Sequence, residues 1–184
     1  IYNSNFNLRD SNPMNKKPHA TLAPTNSKII ELLPNAYFYD AWCIESDHLQ
    51  RSALEHFIAA AEQTPRWVDA CMNLRNRVVA WFGLKNLGEL SQLQAKSADE
   101  YQTGDRVGIF TLFENSFGEA LLGDRDKHLD VTLSVHRSLI NSGKQVLITV
   151  TTVVHTHNWL GKLYMLPVQP MHRIIAPTVL SKIS

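Results

Sequence analysis

Four strand-like runs fill the second half of this chain and leave it few ways to fold. GDRVGIFTLFEN, EALLGDRD, HLDVTLSVHRSL and QVLITVTTVVHTH, between Gly104 and His157, alternate apolar and polar residues two by two and are separated by turn residues. Consecutive strands with short connections pair antiparallel, so the spacing predicts a meander. Its clearest turn is Asn141-Ser142-Gly143-Lys144. With Ser142 and Gly143 at the turn, Asp130 lies opposite His155 and His128 opposite His157. One face then holds Leu129, Val131, Leu133 and Val135 against Ile148, Val150, Thr152 and Val154. The other holds His128, Asp130, Thr132, Ser134 and His136 against Thr149, Thr151, Val153, His155 and His157. A slip of one residue would mix the two sets, and burial of one face opposes that slip.

Upstream, AYFYDAWCIE (36–45) is aromatic and β-prone and reads as a first strand. Asp47, with Gln50 three residues on, has the relation of a capping box opening a helix with the stripe Leu54, Phe57, Ile58 and Ala61. Thr64-Pro65 opens a second helix, with proline at its first position. Trp67, Ala70, Cys71, Leu74, Val78 and Trp81 fall on one face of it, and Gly83 ends it. Residues 84–103 show no strong period and read as a connecting loop or a weak extra strand. After Asn158 a helical stripe returns with Leu160, Leu163, Tyr164, Val168, Met171 and Ile175. Pro167, Pro170 and Pro177 fall inside it. An interior proline costs roughly 3 kcal/mol, so a break or kink near Pro167 is expected, with the freed carbonyls turned either to solvent or to a cavity.

A chain of 184 residues supports one domain with a sizeable core. The 44% apolar and 19% charged content is ordinary for a globular protein, and 18 basic residues nearly cancel 17 acidic ones. The formal charge of +1 lends no electrostatic support to nucleic-acid binding. Cys43 and Cys71 read as two buried thiols rather than a bridge, which suits a reducing cytoplasm. No run approaches the roughly 20 apolar residues of a membrane span, and no signal peptide is visible. Residues 1–27, rich in Asn and Pro, read as a flexible N-terminal arm; residues 1–13, ahead of Met14, are set aside as a foreign or upstream extension. The rest, 28–184, reads as a single domain.

The hairpin register gathers His128, Asp130, His155 and His157 on the polar face. Three imidazoles and a carboxylate suit a zinc-like ion or proton transfer, but the same pattern is what any half-solvated antiparallel sheet shows. The polar face is expected to meet water, and no metal is assigned to it. Gly104-Asp105-Arg106 reads as turn chemistry entering a strand. Arg137 continues the apolar face beyond Val135, either as a snorkelling edge residue or as the cationic end of an apolar pocket. The chain has no Gly-x-Ser-x-Gly elbow, phosphate loop, dinucleotide fingerprint or Cys-x-x-Cys, and no cofactor is indicated.

A strand, two helices, an antiparallel meander and a long C-terminal helix is the element order of the α+β helix-grip fold. GDRVGIF, LLGDRDKHLDVTLSV, TTVVHTHNWLGKLYM and PMHRII, with YFYDAW and WVDACMNLRNRVVAWFGLK upstream, together resemble a bacterial family of uncharacterised domains in the START-like, or SRPBCC, superfamily. The resemblance spans about residues 36–180, and members also occur fused behind nucleotide-binding reductase domains. It implies a curved sheet gripping the C-terminal helix, with a cavity between them for an apolar or amphipathic molecule. On that geometry the expected ligand-binding residues are Phe110, Leu112, Val131, Leu133, Arg137, Val150, Leu163, Tyr164 and His172, and Arg173 follows the same expected kink as His172. The resemblance brings no catalytic residues. The leading expectation is a non-enzymatic binder; the alternatives are a cyclase- or hydratase-type enzyme using His and carboxylate groups, and an interaction module for a reductase partner or a homodimer.

Overall fold

The computed structural model describes residues 17–80, 93 and 96–183, the side chains of 75–80 excepted. Seven strands form one antiparallel sheet in the order β1-β2-β7-β6-β5-β4-β3. They are β1 (His19–Ala20), β2 (Phe38–Ser46), β3 (Arg106–Val107), β4 (Phe110–Asn115), β5 (Glu119–Arg125), β6 (Leu129–Ile140) and β7 (Gln145–Thr156). Helices α1 (Ala53–Glu62) and α2 (Arg66–Ala80) follow β2, and α3 (Trp159–Leu180) closes the fold. The sheet is curved, and the architecture is an α+β helix grip.

The long hairpin has the register read from sequence: Asp130 faces His155, and the ladder runs from Leu129 opposite Thr156 to Ile140 opposite Gln145. Its turn carries positive φ at Asn141, Ser142 and Gly143, a conformation that Asn and Gly accept at little cost. The first strand also forms, and β2 lies beside β7 with Phe38 opposite Val154 and Ile44 opposite Ile148. The run GDRVGIFTLFEN divides, because Gly108, at φ 58°, turns the chain back so that Val107 pairs with Phe110.

Several local details differ from the sequence reading. The capping box of α1 is Ser52 with Glu55, whose carboxylate accepts from the Ser52 N–H at 2.6 Å, not Asp47 with Gln50. Those two backbone and side-chain bonds to Ser52 hold the Glu55 carboxyl below its ordinary pKa. Among the described side chains of α2, Val68 is fully buried, whereas Trp67 and Leu74 are exposed; the helix borders a void rather than sitting on solid core. Trp81 and most of 84–103 lie outside the described residues. Helix α3 runs unbroken through Pro167, Pro170 and Pro177. The carbonyls left without an N–H partner four residues back belong to Leu163, Leu166 and Arg173, which are exposed, so water satisfies them and the helix need not break.

The polar face of the hairpin is not solvated at its centre. Thr132, Ser134, His136, Thr149, Thr151 and Val153 are all buried there, beneath the segment before β2. Within the stretch read as a loose arm, His19–Ala20 pairs with β2 and Ser27 is buried. A helical turn, Lys28–Leu32, then seats Ile29 against Leu121 and Val153, with Leu32, Leu33 and Ala36 around it. Glu119 latches this cover by accepting from the hydroxyls of Ser27 and Ser134 and from the Lys28 N–H at 3.1 Å. Burial here pushes the His136 pKa down. Ladder hydrogen bonds consume the backbone groups, and the short Ser and Thr side chains leave room for an apolar cover, so a polar pattern became an interior one.

Candidate functional site: an apolar cavity closed by the C-terminal helix

Cross-strand pairs point to the same side of a sheet, so the concave face can be read across three strands. Phe38, Asp40, Trp42 and Ile44 of β2 lie beside Val154, Thr152, Val150 and Ile148 of β7, and these beside Val131, Leu133, Val135 and Arg137 of β6. Two cores form on this face. The larger packs Leu54, Phe57 and Ala61 of α1 on Ile44, Leu122, Val135 and Ile148; the smaller packs Met165 of α3 on Phe38 and Val154.

Between the two cores lies a cavity of about 490 Å³, within the usual range for small-molecule sites. Leu133, Val150 and Thr152 form its floor, and Ile109 and Phe110 one wall. Phe57 and Ala60 of α1 and Val68, Cys71, Met72 and Leu74 of α2 form another. Helix α3 closes it with the face that carries Tyr164, Val168, Met171, His172, Ile175 and Val179. Leu74 and Met171, 64% and 37% exposed, mark the rim.

The expected ligand-binding residues separate on this geometry. Phe110, Leu133, Val150, Tyr164 and His172 line the cavity. Leu112 is fully buried in the larger core, and Val131 packs under the start of α3. Leu163 is exposed, on the outer face of α3. Arg137 donates from Nη2 to the Leu49 carbonyl at 2.6 Å and stacks over Phe117, anchoring the loop before α1. Arg173 borders a separate shallow depression with Tyr39, Asp40 and Trp42.

The histidine cluster of the hairpin disperses. His157 Nε2 lies 3.2 Å from Asp130, His155 Nε2 is 3.4 Å from the Pro34 carbonyl, and His128 Nδ1 is 3.1 Å from Asn158 Oδ1. Among the described residues no group of three or more His, Cys, Asp or Glu side chains is placed to hold a metal ion. His157 and Asp130 are partly solvated, so His157→Ala is expected to cost well under about 1 kcal/mol in urea melts. A cost of several kcal/mol would show the pair to be structural.

Sequence reasoning missed Asp40 and Thr152. They are directly paired across β2 and β7, and they interrupt the otherwise apolar rows from Phe38 to Ile44 and from Ile148 to Val154. His172 comes down onto Asp40 from α3: its Nε2 lies 3.0 Å from Asp40 Oδ1, while Trp42 Nε1 donates to Asp40 Oδ2 at 3.0 Å. Phe38 meets the imidazole edge-on at 5.6 Å. Thr152 stood out in the sequence only as a polar residue in an apolar row, and Asp40 as a carboxylate inside YFYDAW. Both cysteines are free thiols; Cys43 is buried on the convex side, where burial raises its pKa, and Cys71 borders the cavity half-buried.

A family described as "Protein of unknown function (DUF2867)" matches residues 32–179, most of the chain. The chain belongs to the DUF2867 family. The match includes β2, all three helices up to the last turn of α3, and every residue that lines the cavity except Leu180 and Ile183. No curated protein and no solved structure matches the chain. Among the described residues no helix is long and apolar enough to cross a membrane.

Proposed function

We propose that this DUF2867 protein binds a small apolar or amphipathic molecule in the cavity between the sheet and α3, as a START-like domain. The observation that carries the reading is the void itself: about 490 Å³, bordered among the described residues by apolar side chains apart from Cys71, Thr152, Tyr164 and His172. Close packing is the norm in protein interiors, and an apolar void of this size forgoes dispersion contacts that a ligand would restore. The resemblance to START-like domains supports the same use of the same place in the fold. Lining residues Phe110, Leu133, Val150, Tyr164 and His172 are the proposed ligand contacts.

The test is native mass spectrometry of the protein purified from its own host, beside the variant Val150→Trp. The wild type is expected to carry a small molecule that the variant lacks, with little loss of stability because the indole enters existing space. An unliganded wild type that also fails to take up apolar fluorophores would overturn the reading.

A second reading is favoured by one observation, the His172–Asp40 pair at the edge of the cavity. A carboxylate that orients an imidazole is the arrangement acid–base enzymes use, as in cyclases and hydratases. Turnover of a bound carbonyl or olefinic compound that is lost in His172→Gln would establish it. Docking to a reductase partner or to a second copy would use another surface. Trp159, Leu163, Leu166 and Ile174 form an exposed apolar row along the outer side of α3.

A further inference from the structure

We propose that the molecule held in the cavity bears a hydroxyl group, bound by His172 and Thr152, and that this group distinguishes it from carboxylates and from ethers of the same size. The inference rests on the cavity being a ligand site and adds the chemistry of the ligand's polar end.

The two acceptor oxygens of Asp40 set the tautomer of His172. One takes the Trp42 Nε1–H, a group that can only donate; the other lies 3.0 Å from His172 Nε2. A carboxylate oxygen facing a ring nitrogen at that distance requires the hydrogen to be on the nitrogen. In the neutral imidazole the other nitrogen, Nδ1, is then an acceptor. Phe38, edge-on to the ring, holds it in this plane. Among the described residues Nδ1 meets no hydrogen-bond partner and is not sealed off, and His172 borders the cavity.

Thr152 supplies the complementary group. It is the cross-strand partner of Asp40, so the two side chains stand side by side on the concave face, and it too borders the cavity. Its hydroxyl donates to no group among the described residues. A ligand hydroxyl satisfies both sites at once: its O–H donates to His172 Nδ1 and its oxygen accepts from the Thr152 hydroxyl. An ether oxygen accepts but leaves Nδ1 without a donor. A carboxylate likewise brings no hydrogen for Nδ1, and its charge lies beside Asp40. Among the described residues the rest of the lining is apolar apart from Cys71 and Tyr164, which suits a hydrocarbon or aromatic remainder of the molecule.

The test displaces the neutral fluorophore N-phenylnaphthylamine from the intact protein with decanol, decyl methyl ether and decanoate in mildly alkaline buffer. Decanol is expected to displace it at about tenfold lower concentration than either analogue. His172→Phe is expected to abolish most of that preference while leaving displacement by the ether unchanged, and Thr152→Val to weaken decanol and the ether alike; retained fluorophore binding shows that both variants are folded. Equal displacement by all three compounds, a preference for decanoate, a preference over the ether that survives His172→Phe, or displacement by decanol untouched by Thr152→Val would overturn the hydroxyl assignment and leave the cavity reading standing. Failure of every compound to displace the fluorophore, or failure of the fluorophore to bind, would overturn both.

Discussion

Gly161→Ala is expected to destabilise the protein by about 3 kcal/mol, although alanine is the better helix former by roughly 1 kcal/mol at an unconstrained site. The reason is the seat of α3. Asn158 caps the helix by accepting the Gly161 N–H at 3.2 Å, and its side-chain amide donates to the Lys127 carbonyl at 3.0 Å. Gly161 is thereby pressed against the start of β6, where a Cβ would overlap the His128 carbonyl oxygen and crowd the Thr156 side chain. That carbonyl is backbone already engaged by the His157 N–H at 2.8 Å, so it cannot swing aside as a side chain would. The first turn of α3 must lift, and the helix that closes the cavity lifts with it. Urea melts read the loss, and weakened binding of an apolar fluorophore reads the displaced helix. A neutral or stabilising alanine would mean that α3 does not seat on β6 in this way.

The second large effect concerns His56, which is fully buried on α1 with neither ring nitrogen meeting a hydrogen-bond partner of good geometry among the described residues. Burial comes first among the causes that push its pKa down to about 4, followed by the charges of Arg51, His48 and Arg137. The folded pKa lies below the unfolded value of 6.5, so between those limits the unfolded chain binds the proton and the folded one resists it. Stability is therefore complete above about pH 6.5 and falls as pH drops toward 4, by roughly 2 kcal/mol from this residue. His56→Leu is expected to flatten most of that decline, leaving the smaller share due to His136, and to raise stability at neutral pH by removing two unsatisfied polar atoms. Denaturant melts at several pH values decide it. Parallel profiles for wild type and variant would show that His56 is solvated or paired in the folded state.

Much of the architecture follows from local chemistry. The alternating runs, the Asn141-Ser142-Gly143 turn and the burial requirement together fix the register of β6 and β7, because any odd slip exchanges every inward side chain for an outward one. Asn158 is legible as the cap of α3 because the signal lies within one turn of the element it starts, whereas α2 begins at Arg66, one residue after Pro65, and the buried Thr64 hydroxyl makes no capping bond among the described residues. The same locality explains the errors. Proline inside a helix reads as a break, yet whether a freed carbonyl finds water depends on which side of the helix packs, and here the three carbonyls are outward. A row of Thr, Ser and His reads as solvated, yet the segment from Ser27 to Ala36 covers it, and no periodicity in β6 or β7 encodes that cover.

The candidate site divides along the same line. Sequence alone determined that an apolar face of the hairpin and an apolar stripe on the last helix exist, and so that Leu133, Val150 and Tyr164 are available to a common interior. Only the tertiary structure decided that a void separates them, that α2 forms its far wall, and that Asp40, Thr152 and His172 meet at its edge. Those three residues stand far apart in the chain and meet only because β2 inserts beside β7 and α3 crosses both. Pairing between distant strands is selected by the whole core, whereas side-chain alternation reports only which way each residue faces.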